Sequence, residues 1–321
     1  MAVFPFNLIR TPKELKNLGV LGMNSRNINF IARYNPRHLY PMVDDKLNTK
    51  RAAQKKGVAV PELLGVIETQ RQLRNLSGII SPLQKFVIKP TRGSGGKGIL
   101  VITGRDFGYY LKSNGSKLEL LDLHRHINNV LSGLYSLGGK PDCAMIEAMI
   151  EYDDVFSDYT YEGVPDIRII VFKGFPVMAM LRCATHASDG RANLHQGAIG
   201  VGIDLCSGRS LYAVQHNRPI DTHPDTGKSF SQLQIPHWQQ ILELAASCYE
   251  MAGLGYIGCD IVLDHQLGPM ILELNARPGL AIQLASGQGL LTRLEQINRL
   301  SQDAMGLSAS DRVAYLLHNV E

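Results

Sequence analysis

Asp260, Glu273 and Asn275 are three oxygen donors: the first two are set into neighbouring apolar runs, YIGCDIVL at 256–263 and MILEL at 270–274, and Asn275 directly follows the second. Each run is short, rich in β-branched or aromatic residues and bounded by turn residues, which predicts a strand. Glu273 and Asn275 are two apart, so a strand puts them on one face. Oxygen donors with no His or Cys suit Mg²⁺ or Mn²⁺ bridging to phosphates. The other reading is that Asp260 and Glu273 pair with Arg168 or Arg277.

A second stretch, FVIKPTRGSGGKGILVIT at 86–103, is a strand, a glycine-rich turn and a second strand. Gly93, Gly95, Gly96 and Gly98, with Ser94 and Lys97 between them, let backbone N–H groups approach an anion. Lys89 leaves the first strand beside that tip as a point charge. The string G-x-G-x-x-G is present, but the dinucleotide-binding version must open a helix, and 99–102 reads as strand. A Walker loop needs Gly-Lys-Ser/Thr, whereas Gly98 follows Lys97. A protein kinase would carry its lysine on a later strand, with HRD and DFG motifs downstream, and these are absent. An ordinary hairpin and a cover over phosphates both remain open from this stretch alone.

Arg168 and Arg182 lie inside the apolar runs PDIRIIVF and PVMAMLRC. A buried arginine needs an anion, either a carboxylate of the protein or a ligand, and two such arginines on adjacent strands favour a ligand. Glu151, Asp153 and Asp154 follow the apolar run CAMIEAMI; a carboxylate there either hydrogen-bonds a ribose hydroxyl or is solvated. Lys46 falls in the first turn of a helix predicted over 44–56, where a cation opposes the helix dipole. Arg26, Asn27, Asn35 and Arg37 form either a polar network that orders their segment or an anion contact, the structural role being favoured. His124 and His126 are two apart and do not share a helix face.

The elements that must carry these groups can be read in outline. Pro165–Phe172 and Pro176–Cys183 predict a hairpin turning at Lys173-Gly174. Residues 238–251 predict a helix closed by Gly253. Residues 106–137 predict a polar turn and then a helical stretch ending near Gly138. Residues 185–202 predict a long polar loop, and 215–231 a surface excursion.

At 321 residues, 45% hydrophobic and 19% charged, the chain can bury a large core in about two domains. A net charge of +4, spread along the chain, gives no case for nucleic acid. Five scattered cysteines without C-x-x-C spacing predict a reduced cytoplasmic protein without zinc or disulfides. No signal-like or membrane-length apolar run is present, so no membrane role is predicted.

In this order, the motifs resemble the ATP-grasp superfamily of carboxylate–amine ligases, and within it the RimK type of α-L-glutamate ligase. The resemblance covers residues 44–290. Lys46 and Lys89 match the two nucleotide lysines, and Gly93–Gly98 match the flexible loop over the phosphates. Glu147, Ala148 and Ile150 fall in the segment whose backbone meets adenine. Asp166-Ile167-Arg168, Arg182 and Asn193-Leu194-His195 match the Asp-x-Arg strand, the basic strand end and the Asn-Leu-His loop. Asp260, Glu273 and Asn275 match the metal ligands. Two positions depart from the glutamate-ligase pattern near the expected substrate: Gln196 replaces an arginine and Arg277 a serine.

The resemblance implies an α+β ATP-grasp fold, with ATP between a small lobe over 58–147 and a large lobe over 148–321. Residues 44–57 would be a helix joining the large lobe. Residues 1–43 would be a reduced version of the domain that precedes the first lysine in the family, with self-association or a partner chain as another way to complete the site. It implies ATP and Mg²⁺ (or Mn²⁺) as cofactors, with Arg168, Arg182 and Arg277 as catalytic residues. The reaction would join a glutamate-like amino acid to a peptide, protein or small amine through an acyl phosphate. A nucleotide-binding regulatory module and a phosphotransferase are the alternatives.

Overall fold

The structure, a computed structural model, describes residues 11–93, 95–300 and 306–319. Residues 45–50 and 60–150 form a smaller unit, and the other described residues a larger one.

In the smaller unit, strands β1 (Leu63–Ile67), β2 (Phe86–Pro90) and β3 (Leu100–Ile102) precede three short strands, β4 (Gly104–Asp106), β5 (Tyr109–Leu111) and β6 (Lys117–Leu118); β7 is Ala144–Glu147. The main sheet runs β1-β7-β2-β3, every pair antiparallel, and β4-β5-β6 make a second small sheet. Leu123, Ile127 and Val130 recur at helical spacing on Leu120–Leu131 and join Phe86, Ile88, Ile102 and Ile146 in one core. The helix ends at Leu131, earlier than the expected Gly138. Gly133 takes φ +83°, and a Cβ there would lie 2.3 Å from the carbonyl oxygen of Lys140, so the chain turns where only glycine fits.

The larger unit is built on seven strands: β8 (Asp166–Phe172), β9 (Phe175–Cys183), β10 (Ile199–Ile203), β11 (Ser210–Gln215), β12 (Arg218–Ile220), β13 (Tyr256–Asp264) and β14 (Gly268–Asn275). Their order is β12-β11-β10-β9-β8-β13-β14. The β8–β9 turn sits at Lys173 and Gly174 with φ of +50° and +82°, the left-handed pair that fits the twist of a two-residue hairpin. The helix Trp238–Ala252 buries Ile241, Leu242, Ala245 and Cys248 and closes at Gly253. Among the described residues, no helix is long and apolar enough to cross a membrane.

Two expectations about loops change. The polar loop ends before Ile199, because IGVGI is a fully buried strand between β9 and β11. Its glycines disguised it: a Cβ at Gly202 would lie 2.2 Å from the carbonyl oxygen of Ala285, so they mark close backbone approach. The excursion at 215–231 contains β12 and the buried His223. His223 Nδ1 accepts from the Asp225 N–H at 3.2 Å, so its Nε2–H faces the Ala184 carbonyl at 3.2 Å and ties this segment to the end of β9.

Candidate active site

The larger unit gathers a charged cluster on one face of four adjacent strands. Register places Asp166 opposite Arg182, and Asp260 between Arg168 on β8 and Glu273 on β14. A register shift between Asp260 and Ile261 skips Leu272, a bulge of the kind that re-aims side chains. Arg168 grips Asp260 with both arms of its fork, Nε to Oδ1 at 2.7 Å and Nη2 to Oδ2 at 2.5 Å. Arg182 bridges Asp166 (2.5 Å) and Asp260 (2.7 Å). The partners of both embedded arginines are thus carboxylates of the protein and not the expected ligand, because strand register sets Asp260 opposite Arg168 and Asp166 opposite Arg182. Burial disfavours a charge on Asp260, but Arg168 and then Arg182 outweigh it and hold the carboxyl far below its usual range. Burial, with Asp260 adding to it, raises Asp166 against the pull of Arg182.

Asn275 completes the cluster, its Nδ2 lying 3.4 Å from Asp260 and 3.3 Å from Glu273. Formally, three carboxylates face two guanidiniums, a residual negative charge that a cation would offset. Asp260 Oδ2 already takes bonds from Arg168, Arg182 and Asn275, whereas Oδ1 takes one, from Arg168. Asn275 lies beside Asp260 Oδ2 and Glu273 Oε1, and a half-turn of its amide would bring its oxygen to the two carboxylates. This donor set fits a hard divalent cation. It contains two carboxylates and an amide; among the described residues, no group of three or more His, Cys, Asp or Glu side chains is arranged to hold a metal.

Arg277 follows two residues on. Its guanidinium lies over the Tyr40 ring at 5.1 Å, and it has no carboxylate partner among the described residues. The turn that carries it is held by the segment before residue 44. Asn35, buried, donates to the carbonyls of Tyr256 (2.7 Å) and Ala276 (3.1 Å) and accepts from the Tyr256 N–H (2.9 Å), while Arg26 donates to the Pro278 carbonyl at 2.8 Å. Asn35 and Arg26 therefore serve structure. Asn35→Ala should cost about 2–3 kcal/mol, because it strands buried backbone groups. Urea denaturation checks this; a change under about 0.5 kcal/mol would place Asn35 among surface positions.

The remaining sequence candidates of this unit are more dispersed. Asp154 is exposed at the start of a 3₁₀ turn that is capped by Asp153. Asn193 uses its side chain on the His195 N–H at 3.0 Å, capping the turn Leu194–Gln196.

The smaller unit holds the lysines and the glycine-rich hairpin. Lys89 and Lys50 both pair with the buried Glu147, Lys50 at 2.7 Å from its Oε1. Burial alone would raise Glu147, but Lys89 and then Lys50 outweigh it and hold the carboxyl below its usual range. Lys50, chiefly through burial, is lowered. Lys46 donates its Nζ to the Gly93 carbonyl at 2.7 Å, and its backbone N–H to Thr91 at 2.9 Å. The hairpin tip takes left-handed φ at Gly95, Gly96 and Gly98, and a Cβ at Gly98 would lie 2.5 Å from the Tyr135 ring. Lys97 is exposed on this tip, and Ser94 lies outside the described residues. Ala148 donates its N–H to the Glu62 carbonyl at 3.0 Å, and Ile150 follows half-buried. Sequence reasoning missed Lys50, although it sits one helical turn after Lys46 on the same face.

Among solved structures, the chain resembles a D-alanine–D-alanine ligase from Bacillus anthracis complexed with ATP (16% identity, TM-score 0.43, 86% of this chain and 65% of that one). It also resembles D-alanyl-alanine synthetase A from Vibrio cholerae (10% identity, TM-score 0.46, 88% of this chain and 65% of that one). A third is the D-cycloserine synthetase DcsG (17% identity, TM-score 0.43, 81% of this chain and 73% of that one). The chain thus spans about two thirds of the length of the first ligase. No curated protein matches the sequence. The model of the sugar-transfer associated ATP-grasp family matches residues 25–299, most of the chain, so the protein belongs to that family and has an ATP-grasp fold.

Proposed function

We propose that the protein is an ATP-dependent carboxylate–amine ligase. The observation that carries this reading is the Asp260 cluster: two carboxylates and an amide that fit a divalent cation, two residues from Arg277, a cation with no carboxylate partner among the described residues. ATP-grasp membership supports the nucleotide.

In this reading the hairpin amides, Lys46 and Lys89 receive the phosphates. Lys89 has three donors and can keep Glu147 while turning another to a phosphate oxygen. Asp260, Glu273 and Asn275 would hold Mg²⁺, which when bound would supply positive charge beside the transferring phosphoryl group. Arg277 holds the substrate carboxylate as its oxygen attacks the γ-phosphorus and ADP leaves. Arg168 and Arg182 fix Asp260 and keep it ionised. An amine then attacks the acyl phosphate, and amide and phosphate result. Positioning and electrostatics supply the rate, with no covalent enzyme intermediate. The RimK-like motifs favour a glutamate-like amino acid as one partner of the reaction, with a peptide, protein or small amine as the other.

The test follows ADP release from the purified protein with Mg²⁺ and ATP across pairs of amino acids and amines, with mass spectrometry of the products. The expected result is ADP formed only when carboxylate and amine are both present, with an amide product. A phosphorylated product formed without amine would mean a phosphotransferase. ATP binding without turnover on any pair would mean a regulatory module.

A further inference from the structure

Asp142 lies just before β7 and is 4% exposed, yet no motif marks it. A buried carboxylate without donors would be costly, so its partners show what it is for. Oδ1 accepts from the Thr91 hydroxyl at 2.6 Å and from the Cys143 N–H at 2.7 Å. Oδ2 accepts from the Ser136 hydroxyl at 2.5 Å and from the Arg92 N–H at 3.0 Å. Four donors fill the roughly four lone-pair positions of a carboxylate. Thr91 and Arg92 are the residues by which the chain enters the glycine-rich hairpin. Ser136 forms a β-bridge with Gly93, the first glycine of that hairpin. The Thr91 and Gly93 carbonyls in turn receive the Lys46 backbone N–H and Nζ.

From this convergence we infer that Asp142 is a positioning residue for phosphate binding: it fixes the base of the glycine-rich hairpin and, through Thr91 and Gly93, the place of Lys46. This rests on the nucleotide reading above. Asp142 itself touches no phosphate. It sets where the hairpin amides and the Lys46 ammonium stand before ATP arrives, so that ordering them does not draw on binding energy.

Asp142→Asn keeps the shape and replaces one accepting oxygen with a donor, which must face the Arg92 or the Cys143 N–H. Two ligands separate positioning from general support: ATP, which carries phosphates, and adenosine, which does not. The expected result for Asp142→Asn is an ATP Kd raised about tenfold, the scale of a lost charge-assisted hydrogen bond. The adenosine Kd should stay unchanged, and amide exchange at Arg92, Gly95 and Gly96 should speed up. Ser136→Ala removes one donor and should move the ATP Kd the same way by a smaller factor; it decides the matter if Asp142→Asn does not fold. Equal losses for ATP and adenosine would reduce Asp142 to a structural residue and overturn the inference, as would unchanged ATP affinity in both variants. A wild-type protein that binds no ATP fails differently, since the nucleotide reading then falls first and takes the inference with it.

Discussion

Glu273→Gln is expected to stop turnover while the protein stays folded. Glutamine keeps the length of the side chain and its contact with Asn275, now 3.3 Å from the carboxylate. It removes one negative charge from the cluster that is proposed to hold Mg²⁺. Glu273 sits on β14, the edge strand of the sheet, and is not fully buried, so the amide has a place without repacking the core. Loss of charge stabilisation at a transferring phosphoryl group should lower kcat by at least about a hundredfold. ADP release under saturating Mg²⁺ and ATP measures that, and a thermal melt shows whether the fold survives. Normal turnover with Mg²⁺ would remove Glu273 from the metal site and leave the cluster as a set of ion pairs that merely tie four strands together.

That same cluster shows how far a sequence can be read. Asp260 and the Glu-x-Asn pair were legible because strand alternation fixes the face of each side chain, and β13 and β14 keep regular register from Gly258–Asn275 to Asp260–Glu273, before the bulge. The β8–β9 hairpin was legible because Lys-Gly is turn chemistry between two apolar runs. What the arginines hold was not legible. Arg168 lies 92 residues from Asp260, and nothing local separates a protein carboxylate from a ligand as its partner. Asp142 shows the same limit, as it meets Thr91 across 51 residues through a side-chain bond that no periodicity encodes. The small β4–β6 sheet escaped for another reason: its strands are two or three residues long, too short to show alternation. His223 was hidden inside a polar segment whose composition says surface, although the ring is wholly buried.

Glu147→Gln is expected to give the largest loss of stability of any conservative change in the smaller unit. The substitution leaves Lys50 and Lys89 buried around a neutral amide. Removing one member of a buried ion cluster costs about 3–5 kcal/mol, because the charges left behind keep their desolvation penalty without its compensation. Urea denaturation at pH 7 measures the loss. The dependence on pH makes the cause testable. In the wild type the folded carboxyl titrates below its unfolded value of about 4.3, so its contribution is present above that pH and is lost as pH falls through the folded value. Lys50 works in the opposite range. Its folded pKa is lowered, so between that value and the unfolded value of about 10.4 the unfolded chain binds more protons, and stability rises with pH. In Glu147→Gln the attraction that restrained this lowering is gone, and the gain on the alkaline side should start earlier and be larger. The gap between wild type and variant should therefore be widest near neutral pH, narrowing on the acid side only below the unfolded carboxyl value of about 4.3, as pH falls towards the lower folded value of Glu147, and on the alkaline side towards pH 10 as Lys50 is deprotonated. A gap that is flat from pH 4 to pH 10, or smaller than about 1 kcal/mol at pH 7, would mean that the three side chains meet without depending on one another's charge.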